Sequence, residues 1–211
     1  MKNKIIYFTP IVFALLVSIS CHNQDWILYR ASSDYFPLRN GDWWKYETQN
    51  ITKLVEVQGD TFVNNQPCIH LFNAYEDEYW TDDNGNMRKL NLRTVNYGGT
   101  DYVLENEWLL QYKLPFVLGS LWSDVFTDTV VILGDSYRLK HNIIRKVVQI
   151  EDLNIPAGTF FQAYKIEYNE TFTFNDSIEN YSGFEWFAPG VGLIKKVINN
   201  SETILTDYSV K

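Results

Sequence analysis

Residues 159–168 read TFFQAYKIEY, and their alternation decides the fold. In an extended chain, successive side chains point to opposite faces. Phe160, Tyr164, Ile166 and Tyr168 fall mostly on one face, and Phe161, Ala163, Lys165 and Glu167 on the other. Such a period of two, carried by aromatic and β-branched residues, suits a pleated, half-buried surface. WKYET (44–48) and KLVEVQG (53–59) alternate in the same way. Turn residues punctuate the chain at Gly59-Asp60, Asn84-Gly85, Gly98-Gly99, Gly134-Asp135, Pro156-Ala157-Gly158 and Pro189-Gly190. The best candidate for a helix is ENEWLLQYKL (105–114), which runs into Pro115. The expectation is an all-β domain, built as a curved antiparallel sheet or a partly open β-barrel.

Composition agrees. Of the 211 residues, 16% are aromatic, enough to fill a sizeable core and unlike a disordered chain. The formal net charge is −8. Nucleic acid is excluded as a partner on that balance, because phosphate binding needs clustered Lys and Arg. The basic pair Lys195-Lys196 reads as a solvated strand face.

The first 20 residues read as a signal peptide. Lys2 and Lys4 precede an apolar run from Ile5 to Ile19. The run is too short to span a bilayer and has the length of a signal-peptide apolar region. Ser18 and Ser20 supply small residues for cleavage before Cys21. Ser20-Cys21 also resembles a bacterial lipobox, although Ser18 stands where that motif carries Leu, Val or Ile. Cys21 is therefore the candidate lipidation site. Its thiolate would carry diacylglycerol as a thioether, with an N-acyl chain such as palmitate, and each buried CH₂ contributes about 0.8 kcal/mol of anchoring. The alternatives are a disulfide with Cys68, since an exported chain meets an oxidising space, and a buried inert thiol. Cys68 itself, in QPCIHLF, reads as a small buried hydrophobe. Cleavage removes Lys2 and Lys4 and moves the net charge from −8 to −10. Residues 21–33 then form the lipidated cysteine and its tether, and 34–211 a single β domain.

That domain carries an internal echo. PLRNGDWW (37–44) and PFVLGSLW (115–122) both read P-x-x-x-G-x-x-W. Each is followed later by a Trp-bearing strand, a Gly turn and a basic strand: EYWTDDNGNMRKL and FEWFAPGVGLIKKV. Two related β units, 34–114 and 115–211, would explain it.

YFPLRNGDWWKYE, LPFVLGSLW, IPAGTFFQAYKIEY and WFAPGVGLIKKV occur in this order from Tyr35 to about Lys196. In this they resemble a family of exported lipoproteins of Gram-negative bacteria, with a Y-F-P-L-x-x-G-x-x-W start, a P-A-G-T-F strand and an A-P-G-V-G-L-I-K hairpin. The resemblance implies a curved sheet or partly open barrel, broadly similar to the lipoprotein-carrier fold. It carries over no activity, and the matching Gly, Trp and Phe positions read as architectural.

Candidate chemistry is sparse. Cys68 and His70 share a strand face, but zinc needs three or four ligands and no further ligand is in view. Asp82, Asp83, Asn84 and Asn86 offer oxygens for Ca²⁺, yet Gly85 stands too early for an EF-type loop and no bidentate Glu follows. Asn84-Gly85 reads as a hairpin turn. Glu76 and Glu78 share a face and would serve a hydrolase if both lay in a pocket with raised pKa; a solvated strand edge is the plainer reading. Asp128-Thr129-Val130 and Asp176-Ser177-Ile178 resemble an acidic-Ser/Thr-aliphatic glycosylation motif. No catalytic residue, metal or cofactor is assigned beyond the covalent lipid on Cys21. The expected function is a non-catalytic lipoprotein of the outer membrane that binds an apolar ligand or a protein partner. A surface glycan-binding lipoprotein is the alternative, with exposed Trp or Tyr rings as sugar platforms.

Overall fold

The computed structural model describes residues 35–73 and 76–211. Cys21, the signal segment 1–20 and the tether 21–33 lie outside the described residues.

Twelve strands form one antiparallel sheet: β1 (Trp43–Thr48), β2 (Ile51–Val63), β3 (Gln66–Asn73), β4 (Glu76–Asp83), β5 (Asn86–Tyr97), β6 (Thr100–Lys113), β7 (Leu121–Ile132), β8 (Asp135–Ile155), β9 (Gly158–Phe174), β10 (Ser177–Ala188), β11 (Gly192–Ile198) and β12 (Ser201–Ser209). No described residue is helical. The order β6-β5-β4-β3-β2-β1-β12-β11-β10-β9-β8-β7 leaves β6 and β7 as the two edges. They meet without a backbone ladder. The Asp124 carboxylate accepts the Leu110 N–H at 2.9 Å, and Trp122 Nε1 donates to the Gln111 carbonyl at 2.9 Å. The sheet is thus a nearly closed barrel, which leaves little unpaired edge to aggregate.

The segment 105–114 is strand, not helix. β6 carries an additional residue at two places, opposite Met87/Arg88 and Arg93/Thr94 of β5. Each bulge shifts the face by one position. Buried Glu105, Leu109 and Tyr112 therefore stand four and then three positions apart, as on one face of a helix. A bulge also corrects the alternation in β9. Ala163, assigned above to the face of exposed Phe161, is fully buried. Gln162 has φ +55°, and the register against β8 slips between Glu151 and Leu153. Beyond it, Tyr164, Ile166 and Tyr168 keep the expected inward phase.

The two P-x-x-x-G-x-x-W segments form matching loops. The Gly41 N–H donates to Val57 O at 3.0 Å, and Gly119 to Val147 O at 2.9 Å. Val57 N–H returns to Asp42 O, and Val147 N–H to Ser120 O, both at 2.9 Å. Gly41 and Gly119 have φ of 83° and 84°, a region that costs glycine nothing. Trp44 and Trp122 are each the second residue of their strand and are buried. Their Nε1–H groups bond different carbonyls, Val191 O and Gln111 O. β1 pairs with β12 in a full ladder; the corresponding β7–β6 junction is the open seam.

Candidate functional site

Inward positions change character along the barrel. β1 turns Trp44, Tyr46 and Thr48 inward in that order, toward the turn at Gln49-Asn50. On β4, Trp80 is followed inward by Glu78. One end is therefore aromatic and the other polar. Phe36, entering ahead of β1, packs its ring 5.6 Å from Trp80, 5.0 Å from Tyr112 and 5.2 Å from Phe187. These rings floor a cavity of about 390 Å³, walled by every strand except β7 and β8. Its volume suits a small organic ligand.

Charged groups stand above the floor. Glu78 Oε2 lies 3.3 Å from Lys89 Nζ and accepts from Trp80 Nε1 at 3.1 Å. Glu185 lies 3.3 Å from Lys196 and accepts from the Tyr112 hydroxyl at 2.8 Å. Burial drives the Tyr112 hydroxyl well above its ordinary pKa, helped by Glu185, so it stays a proton donor. Lys53, on β2 opposite Tyr46, also lines the cavity.

Behind this wall runs a buried network. Arg145 is fully buried, with Nη2 3.3 Å from Glu170 and 3.1 Å from Gln111 Oε1. Its guanidinium stacks 3.6 Å from the Tyr168 ring centroid. His141, also fully buried, bridges Glu105 at 2.7 Å and Glu170 at 3.0 Å. It thereby ties β6 to β8 and β9 beside the seam. Burial by itself lowers the His141 pKa, but the two carboxylates overcome it and the net shift is upward. Burial likewise opposes the Glu170 carboxylate, yet His141, Tyr168 and Arg145 bring its pKa down to about 2.

The signs give a pH prediction. A histidine whose folded pKa is raised adds stability that is complete below its unfolded value, about 6.5, and is lost as pH climbs through the folded value. Glu170 acts oppositely: its contribution is present above the unfolded value and fades as pH falls toward about 2. Melting temperature is expected to decline as pH rises above about 6.5 in the native chain, and this decline should be absent in His141→Asn. Parallel profiles for the two proteins would show that His141 carries no linkage.

The residues singled out in the sequence fall in varied places. Glu76 is exposed, whereas Glu78 lines the cavity. Burial alone would raise the Glu78 pKa, but Lys89, Trp80 and Lys53 outweigh it and lower it. The pair of raised-pKa acids that a hydrolase would need is not formed. Cys68 is a buried free thiol. His70 faces Asp77 at 2.7 Å, and no cluster of three potential metal ligands exists among the described residues. Asp82 Oδ1 accepts the Gly85 N–H at 2.6 Å, and Asp83 pairs with Asn86, so this loop is a two-residue hairpin. Thr129 and Ser177 are exposed. Lys195 bonds Glu202 at 2.7 Å on the outer side. Lys196 departs from the solvated face expected of it and lines the cavity, because neighbours on a strand point opposite ways. Trp44, Trp80, Trp122 and Trp186 are buried, Trp43 and Trp108 half-buried, and no described tryptophan is exposed. A tryptophan platform for sugars is thus missing among the described residues.

Sequence reasoning missed Lys53, Lys89, His141, Arg145, Glu170 and Glu185. A signal existed for two of them. Leu139, His141, Ile143, Arg145 and Val147 occupy alternate positions of β8 and are all buried. A histidine and an arginine on an apolar phase mark a charge that must find partners inside.

A family model described as DUF3108-like matches residues 136–210, from the start of β8 to the end of β12. No curated protein matches the chain. A crystal structure from Bacteroides fragilis, described as a candidate exported protein with YmcC-like fold, is 14% identical with a TM-score of 0.50, covering 84% of this chain and 99% of its own. A candidate lipoprotein from Parabacteroides distasonis is 18% identical with a TM-score of 0.49 and the same coverage. At such identity the first of these speaks to architecture: the described domain has a YmcC-like, all-β barrel fold.

Proposed function

We propose that this chain is a non-catalytic lipoprotein of the cell envelope, anchored to the outer membrane through a lipid on Cys21, whose barrel binds a small, largely apolar ligand. The observation that carries ligand binding is the cavity of about 390 Å³ with its aromatic floor. A barrel meant purely as a scaffold gains nothing from such a space, since empty volume forfeits packing contacts. Against catalysis stands the wall chemistry. Glu78, Glu170 and Glu185 are each held by a cation and at least one further donor, whereas an acid catalyst needs a raised pKa. Matching loops at Gly41 and Gly119 support the division into related units 34–114 and 115–211.

One experiment addresses anchor and ligand together: mass spectrometry of the protein extracted from membranes in mild detergent. The denatured chain is expected to begin at Cys21 with diacylglyceryl and N-acyl mass added. Under native conditions a small molecule should be retained, and Val55→Trp, which fills the cavity wall, should lose it. An unmodified Cys21 would overturn the anchor. A retained mass that Val55→Trp leaves unchanged would overturn the cavity as its site.

A further inference from the structure

Six charged side chains line the cavity, three lysines and three glutamates, and five of them are matched. Glu78 has Lys89, Glu185 has Lys196, and Glu170 has Arg145 from behind the wall. Lys53 makes neither an ion pair nor a hydrogen bond among the described residues. It is half-buried, and burial holds its pKa below the ordinary lysine value, with Glu78 and Glu76 acting the other way. A partly desolvated cation that no acceptor reaches within hydrogen-bond distance is costly, and the more distant Glu78 and Glu76 charges offset only part of that cost.

Its position matters as much as its isolation. Lys53 is the third residue of β2, just past the Gln49-Asn50 turn, and pairs across the strand with Tyr46. Thr48 and Thr203, whose hydroxyls meet at 2.7 Å, line the cavity at this polar end. Trp44 and Phe36 lie at the other end. An occupant thus meets a positive group at the rim and aromatic rings at depth.

We propose that the cavity takes a small anionic amphiphile: an apolar, preferably aromatic body on Phe36, Trp44 and Trp80, with one carboxylate or sulfonate on the Lys53 ammonium. The proposal rests on the reading of the cavity as a ligand site and names what that site selects. A cationic occupant has no free carboxylate to meet, because the three glutamates already pair with Lys89, Lys196 and Arg145 and accept from Trp80, Tyr112 and Tyr168. A neutral occupant would cover Lys53 and strip its water without replacing it. An anion forms a charge-assisted hydrogen bond, the strong kind.

The test uses two fluorescent probes that differ by one charge: 8-anilino-1-naphthalenesulfonate and its uncharged analogue N-phenyl-1-naphthylamine. Both are titrated into the native chain and into Lys53→Met, Lys53→Arg and Val55→Trp, each first checked for an unchanged melting profile. The native chain is expected to bind the sulfonate about tenfold tighter than the neutral dye. Lys53→Met should erase that preference and keep the neutral dye within about twofold, Lys53→Arg should keep the preference, and Val55→Trp should weaken both. Equal affinity of the native chain for the two dyes, or an equal loss of both in Lys53→Met, overturns the anionic selectivity while leaving the cavity a ligand site. Sulfonate binding that survives in Val55→Trp also overturns it. Failure of both dyes to bind the native chain removes both readings.

Discussion

Arg145→Met is expected to lower the free energy of unfolding by about 3–5 kcal/mol, the usual cost of removing one partner from a buried ion pair. Methionine replaces the aliphatic stem adequately, so packing is not the main loss. The loss is the guanidinium, which stacks on Tyr168, faces Glu170 and donates to Gln111 and to the Ile144 and Asn169 carbonyls. Without it, Glu170 keeps His141 and Tyr168, but Gln111 Oε1 loses its donor inside the barrel and Glu185 loses a nearby positive charge. Urea denaturation followed by tryptophan fluorescence would read the change, and for a domain of this size the melting temperature should fall by roughly 6–20 °C. Arg145→Met combined with Glu170→Gln should recover part of the loss, because the double variant leaves less uncompensated charge. A loss below about 1 kcal/mol in the single variant would mean that water reaches the network and screens it.

Gly183→Ala should cost about 2–5 kcal/mol, adding overpacking to backbone strain. Gly183 lies within β10, opposite Ile198 of β11, with φ +156°. A Cβ built there falls 1.8 Å from the Val197 carbonyl oxygen and 2.9 Å from its carbon. Backbone on a paired strand cannot step aside as a flexible side chain can, so the β10–β11 ladder must open. Glu185 and Lys196, which pair across that ladder, would separate with it. Gly98→Ala is the control. Its φ of 61° carries strain, but nothing lies within 4 Å of the added methyl. Denaturation midpoints should therefore rank native, then Gly98→Ala, then Gly183→Ala at a clear distance. Equal midpoints for the two variants would show that strain, not the Val197 contact, sets the cost.

The strands were legible where pairing is regular. Trp44, Tyr46 and the even-numbered residues from Tyr164 to Tyr168 turned inward as their alternation required, and Asn84-Gly85 made the expected two-residue hairpin. Legibility failed where an extra residue enters a strand. The bulges in β6 gave a strand the spacing of a helix, and the one at Gln162 buried Ala163. A bulge is an agreement between two strands about register, and one strand's sequence does not contain it.

The site was harder to read for a related reason. Lys53, Glu78, Lys89, Glu185 and Lys196 sit on five different strands, and each alone resembles the polar residue of an ordinary half-exposed strand. What distinguishes them is that they line one shared cavity. From the sequence alone came the all-β class, the turns at Asn84-Gly85, Gly98-Gly99, Gly134-Asp135, Pro156-Ala157-Gly158 and Pro189-Gly190, the P-x-x-x-G-x-x-W echo and the expectation of a lipid on Cys21, because each depends on neighbours along the chain; Gly59-Asp60, expected as a turn, instead lies within β2 at a register shift against β3. Closure of the barrel at β6 and β7, the aromatic floor and the matching of every cavity charge but Lys53 came from tertiary structure. They depend on which distant strands share an interior, where low dielectric makes each unpaired charge count.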